Sequence, residues 1–198
     1  MNNGDVSQSR RRFLIGATSV VGGVGVIGAA VPFVASWNPS AKAEAAGAPV
    51  TVNVDKIEPG QQITVEWRGK PVWIVRRTDE MLANIKKLND TVKDPESSEA
   101  SQQPTYIEGI YRSLKPEFAV LVGICTHLGC VPTYRPEVAP ADLGPEWLGG
   151  FFCPCHGSHY DLAGRVYQSQ PAPLNLEVPP YRYDTDATMT VGLDPEAA

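Results

Sequence analysis

The chain has 198 residues, with 17 basic side chains against 22 acidic ones and a formal net charge of -5. That balance excludes a protein that works by neutralising phosphates, which needs a basic face to displace counterions, so nucleic acid is not an expected partner. The length suits one domain of ordinary size plus something smaller, and the average content of 18 Gly and 18 Pro hides a marked change of character along the chain.

Residues 1–12 end in Ser9-Arg10-Arg11-Arg12 and run into Phe13-Leu14. They read as a cytoplasmic N-terminus with a twin-arginine-like export signal, a route for proteins already folded, although arginines obeying the positive-inside bias would look similar. From 13 to 37 the sequence FLIGATSVVGGVGVIGAAVPFVASW contains no charged side chain. A helix needs about 20 such residues to cross a bilayer, so this segment reads as a transmembrane anchor rather than as a buried soluble helix. Ala41-Lys42-Ala43 has the look of a cleavage site. The apolar stretch nevertheless exceeds the roughly 7 to 15 residues of an ordinary signal core, which points to an uncleaved, single-pass anchor. Its basic side belongs in the cytoplasm, which puts the rest of the chain in the periplasm.

Residues 38–49, NPSAKAEAAGAP, lack a large apolar side chain and read as a flexible linker, though their alanines also favour a short helix. Residues 50–198 then form the second domain. Val50–Val54, Ile63–Trp67 and Val72–Val75 are short β-branched or aromatic runs separated by turn residues, and Phe118–Ile124 returns to that character. Between them, Asp79 is placed to cap a short helix in which Met81, Leu82, Ile85 and Leu88 share one face. The acidic, Ser-rich stretch from Asp94 to Pro104 reads as a solvated loop.

All four cysteines and all three histidines lie in two boxes, Cys125-Thr126-His127-Leu128-Gly129-Cys130 and Cys153-Pro154-Cys155-His156-Gly157-Ser158-His159-Tyr160. Nothing in a packed core would gather both residue types into the same two segments, so the clustering points to a metal site. Each box offers one Cys and one His, as C-x-H and C-x-x-H. A Cys₂His₂ set holds zinc tetrahedrally, or alternatively a two-iron centre with two Cys on one iron and two His on the other. Cys130 and Cys155 are left over, one per box, and an exported domain would be free to bridge them.

CTHLGC and CPCHGSHY resemble the two cluster-binding boxes of the Rieske iron–sulfur subunits of ubiquinol–cytochrome c reductase. The likeness extends to GKPVWIVRRT at 69–78, to PAPLNLEVP at 171–179 and to the anchor, so it covers most of the chain. It implies a mainly β fold: an N-terminal transmembrane helix plus a Rieske-type antiparallel β-sandwich with a small cluster-binding subdomain and one short helix. One [2Fe–2S] cluster is implied, with Cys125 and Cys153 on one iron and His127 and His156 on the other, and with Cys130 disulfide-bonded to Cys155. Ser158 is implied to donate to a bridging sulfide and Tyr160 to the sulfur of Cys125, both favouring the reduced cluster; their plainer roles are a turn residue and a packed aromatic.

The function implied is that of the electron-transfer subunit of a quinol–cytochrome c oxidoreductase. An imidazole of His127 or His156 would take a proton from quinol while the cluster takes one electron and delivers it to a membrane-bound c-type cytochrome. Cytochrome b, the c-type cytochrome, quinol and membrane lipid are the implied partners. A Rieske ferredoxin or oxygenase component shares the ligand spacing but typically lacks the anchor and the second cysteine pair. A plastoquinol-oxidising relative typically has GSQY where this chain has GSHY. Two departures stand out: Gln170 sits where the family's proline loop usually has glycine, and the long segment Pro132–Gly150 resembles the bacterial branch. His159 matches the family pattern without being expected as a ligand, and reads instead as a surface or hydrogen-bonded histidine.

Overall fold

A computed structural model describes residues 7–195. Residues 1–6 of the expected cytoplasmic stretch and 196–198 of the expected second domain lie outside them. The chain divides between Glu44 and Ala45 into two compact units.

The first unit is dominated by helix α1, Gln8–Ala35, whose 28 residues have a mean hydropathy of 2.0 in their most apolar window and bury nothing. At ~1.5 Å per residue it reaches ~42 Å, more than the ~30 Å hydrocarbon core of a bilayer. The helix starts before the apolar run and takes in Arg10, Arg11 and Arg12; it stops at Ala35, so Trp37 lies past its end. In the linker, alanine propensity prevails locally and Ala41–Ala46 form helix α2.

Among the described residues, the second unit is built on three antiparallel sheets of three strands each. The first joins its two ends, with β1 (Val50–Asn53) paired to β9 (Thr188–Val191) and β9 to β8 (Tyr181–Thr185). The second is the meander of β2 (Gln62–Trp67), β3 (Lys70–Arg76) and β4 (Phe118–Val122), with Ile74 opposite both Ile63 and Val120. Every residue of β4 is buried, so it shows a continuous apolar run instead of alternation. These two sheets share one apolar core that includes Val54, Trp67, Ile74, Val120, Tyr181, Met189 and Val191. The third sheet, β5 (Thr133–Arg135), β6 (Gly150–Phe152) and β7 (His159–Asp161), carries the second cysteine box between β6 and β7. A Cβ at Gly150 would run into the carbonyl oxygen of Tyr160, so glycine is what allows β6 to approach β7 this closely.

The predicted helix is α3, Asp79–Lys87, but its cap is Thr78 and not Asp79. Thr78 is extended and its hydroxyl accepts from the Met81 amide at 3.3 Å, whereas Asp79 is already in the first turn, where its charge suits the helix dipole.

The stretch from Asp94 to Pro104 is not simply a solvated loop. Ser97 is buried and accepts from Asn175 Nδ2 at 3.1 Å, and the Val178 amide donates to Gln102 O at 2.8 Å. Three buried arginines also tie loops together by donating to carbonyls. Arg77 reaches Pro116 and Tyr111, Arg112 reaches Ala163 and Leu176, and Arg165 reaches Ile85 while pairing with Asp161 at 2.8 Å. Burial pushes Arg77 and Arg112 down to about 10, which leaves both charged at neutral pH.

Candidate metal centre

The two cysteine boxes fold into the same hydrogen-bonded turn. In the first, the Gly129 amide donates to Cys125 O at 3.0 Å and the Cys125 amide to Cys130 O at 2.7 Å. In the second, Gly157 donates to Cys153 O at 2.9 Å and Cys153 to Ser158 O at 2.8 Å. Gly129 and Gly157 sit at φ 82° and 78°, a left-handed conformation that a side chain would strain, and each lets its loop close on its first cysteine. The turns are locked to each other by the Cys130–Cys155 disulfide.

This frame buries Cys125 and Cys153 as free thiols while leaving His156 exposed and His127 half-buried. The imidazoles meet edge to face with centroids 4.6 Å apart. The four expected ligands are thus divided by depth, sulfur inside and nitrogen outward. Burial pushes the Cys153 thiol up, and the neighbouring Cys125 sulfur adds to the shift. A buried thiol shifted in this way resists ionising unless a cation offsets its charge. Nδ1 of His127 is buried without a hydrogen-bond partner among the described residues. An orphaned buried ring nitrogen is costly, and metal ligation would relieve it. The donor set therefore fits a [2Fe–2S] group. A grouping of Cys130, Cys153 and Cys155 sulfurs within 4.8 Å of one another supplies no alternative centre, because two of them are spent in the disulfide.

Tyr160 and Ser158 flank this pair. The Tyr160 oxygen lies 3.2 Å from Cys125 Sγ and accepts from the Thr126 amide at 3.2 Å. The Thr126 hydroxyl, also 3.2 Å away, gives its own proton to Leu174 O at 2.6 Å. Tyr160 is therefore left as a donor, with the Cys125 sulfur within reach. Its phenol is pushed up, first by burial and then by its bond to Cys125, so it holds its proton. Ser158 is fully buried, and its oxygen accepts from the Ala172 amide at 3.1 Å.

The residues that brace the site were not singled out from sequence. Thr126 orients Tyr160 and Ala172 orients Ser158, and both are small residues with no pattern of their own. The long segment between the boxes supplies Trp147, buried, with its indole donating to Arg135 O at 3.1 Å. Trp147, Phe152 and Tyr167 surround His159 at centroid distances of 5.3, 5.4 and 5.8 Å, which makes this histidine a packed residue. Burial lowers its pKa.

A family model described as "Rieske [2Fe-2S] domain" matches residues 48–181, and one described as "Ubiquitinol-cytochrome C reductase Fe-S subunit TAT signal" matches residues 1–40. The ubiquinol-cytochrome c reductase iron-sulfur subunit of Allochromatium vinosum is 57% identical over 96% of this chain and 91% of its own length. That of Rhodospirillum rubrum is 43% identical over 93% and 92%. Among solved structures, a chain of a hyperthermophilic respiratory Complex III is 30% identical over 90% of this chain and 98% of its own, with a TM-score of 0.48.

Proposed function

Because the chain belongs to the Rieske iron–sulfur subunits of ubiquinol–cytochrome c reductase, we propose that it takes one electron from quinol, takes a proton through a histidine ligand, and passes the electron to a membrane-bound c-type cytochrome. Membership makes it an electron-transfer part of an oxidoreductase complex with a [2Fe–2S] cluster. In the proposal, Cys125 and Cys153 hold one iron, and His127 and His156 hold the other.

When bound, such a cluster supplies a one-electron acceptor whose histidine ligation lifts its potential to about -150 to +300 mV, against about -400 mV for plant-type clusters. The protein's own groups do the rest. Buried Cys125 and Cys153 close the inner side to water, and Tyr160 and Ser158 aim hydroxyl groups at charge that develops on sulfur. Exposed His156 and half-buried His127 stand where a quinol hydroxyl can meet a ring nitrogen, which accepts its hydrogen bond and then its proton. The observation that carries this reading is the pair of disulfide-locked turns presenting those two imidazoles, with His127 Nδ1 unpartnered.

The export signal and the apolar helix behind Arg10–Arg12 support a membrane-anchored subunit with a cytoplasmic N-terminus and a periplasmic cluster domain. The disulfide suits that oxidising side. Cytochrome b would take the second electron, and the linker at 38–49 would let the domain travel between donor and acceptor.

EPR and visible spectra of the purified protein, followed by redox titration against pH, test the assignment. A reduced Rieske signal is expected, with a potential that falls in alkaline solution as imidazole protons are lost and negative charge accumulates. Protein-bound zinc without iron, or a potential that stays flat into strongly alkaline solution, would overturn it.

A further inference from the structure

The segment Gln170-Pro171-Ala172-Pro173 has a shortage of donors. Neither proline has an amide hydrogen, so between Gln170 and Leu174 the only backbone donor is Ala172, and it is committed to Ser158 Oγ at 3.1 Å. The carbonyls of Gln170 and Ala172 must be satisfied from outside the loop. Among the described residues Lys93 does this alone, its ammonium donating to Gln170 O at 3.1 Å and to Ala172 O at 2.9 Å. A second brace comes from the residue that departs from the family's glycine: Gln170 Oε1 accepts from the His159 amide at 3.2 Å, next to Ser158.

Lys93 is itself held in register. Its amide donates to Val166 O at 2.9 Å, the Gln168 amide donates to Thr91 O at 2.8 Å, and Val92 bridges Tyr167. Gln168 Nε2 adds a bond to Asp90 O at 3.1 Å. A flexible lysine on a fixed root is a directed clamp rather than a solvated charge.

We propose that Lys93 is a positioning residue for the cluster's hydrogen-bond environment: by fixing the two carbonyls of the 170–173 loop it keeps the Ala172 amide on Ser158 Oγ, and so sets how strongly that hydroxyl donates. The inference rests on the proposed role of Ser158 beside the cluster. An oxygen that accepts a hydrogen bond becomes a better donor through its own proton, so the relay Ala172 to Ser158 strengthens stabilisation of negative charge on sulfur. Among the described residues no acceptor is found for the Ser158 proton, which leaves it available for that role. The ammonium is on the exposed side of the loop, where its bare field is screened, so its influence passes through the loop.

The test is a double-mutant cycle in the assembled complex, reading the cluster's midpoint potential and EPR signal, with hydrogen exchange at the Ala172 amide as a readout independent of electron transfer. Lys93→Met should leave the cluster assembled, lower the potential and speed Ala172 exchange, and Lys93→Arg should restore both. In a Ser158→Ala background, Lys93→Met should lower the potential by clearly less than it does alone. If Lys93→Met fails to accumulate, Lys93→Leu, which likewise has no donor, carries the same comparison. A parent-like potential, or a shift of equal size in both backgrounds, overturns the proposal, the second result by showing that the charge acts through space. Absence of a Rieske signal from the unmodified complex would instead defeat the ligand assignment, and Ala172 exchange would still report whether Lys93 holds the loop.

Discussion

The indole of Trp73 lies flat on the ring of Phe151, centroids 4.9 Å apart and planes 11° from parallel. Trp73 is at the middle of β3 and Phe151 at the middle of β6, so this one stack ties the central sheet to the sheet whose next loop begins at Cys153. Tyr134 also packs against Phe151, with centroids 5.5 Å apart and planes tilted by 39°. The third sheet has only three residues per strand, too few to stand by its own ladder, so packing such as this aromatic contact must help to hold it.

Phe151→Ala should therefore cost about 3–5 kcal/mol of stability, the range for emptying a buried aromatic site. The cluster should also be lost faster than in the parent. Denaturant unfolding followed by both tryptophan fluorescence and visible absorbance checks this; if absorbance persists as long as in the parent, the stack does not support the site.

Tyr160→Phe removes the hydroxyl 3.2 Å from Cys125 Sγ, and Ser158→Ala removes the one held by Ala172. Each should lower the midpoint potential by roughly 60–130 mV while the cluster remains assembled. A hydrogen bond to charged sulfur is worth roughly 1.5–3 kcal/mol, and about 1.4 kcal/mol corresponds to about 59 mV for one electron. Protein-film voltammetry gives the numbers, and two unshifted variants would remove both residues from the electronic account.

Much of this was legible because it is written in residue type or in long patterns. The apolar run behind three arginines, the β-branched runs of the first strands, and two boxes holding every Cys and His point to the long apolar helix, the first sheets and the Rieske family without coordinates. What was not legible depends on contacts between distant segments. Strands of three residues, such as Thr133–Arg135, are too short for a period of two to register. Asp79 looks like a cap, but Thr78 holds the extended geometry a cap requires. The stretch from Asp94 to Pro104 has the composition of a solvated loop, yet Asn175 and Val178 bind it to the body. Lys93 and Thr126 act through backbone carbonyls and amides far along the chain, and no composition signals that.

Cys130 and Cys155 are 25 residues apart in sequence, and their bond spans the two turns that carry the proposed ligands. Replacing both with serine should cost about 3 kcal/mol through the unfolded chain, and should also make the turns open more easily. The expected outcome is a lower unfolding midpoint with faster bleaching of visible absorbance under chelator. Bleaching at the parent rate would mean that the hydrogen-bonded turns hold the site without the disulfide.

His159 offers a prediction about pH. Its imidazole is enclosed by Trp147, Phe152 and Tyr167, and burial lowers its pKa below the ordinary value of about 6.5. As pH falls, the unfolded chain takes up this proton before the folded one does. Over that window the unfolded state binds more protons, so stability rises with pH. The contribution of neutral His159 is present in full above the ordinary histidine range and is lost as pH drops through it toward the folded value. His159→Gln, which fills a similar volume without titrating, should flatten the dependence of the unfolding midpoint on pH in that window. It should leave the slope at higher pH unchanged. Denaturant titrations of the full-length protein in detergent, parent against variant, isolate this group from the carboxylates because both chains carry all of those. If the two curves stay parallel through the window, His159 is protonated in its aromatic enclosure as readily as in the unfolded chain, and the insertion that supplies Trp147 does not act by keeping it neutral.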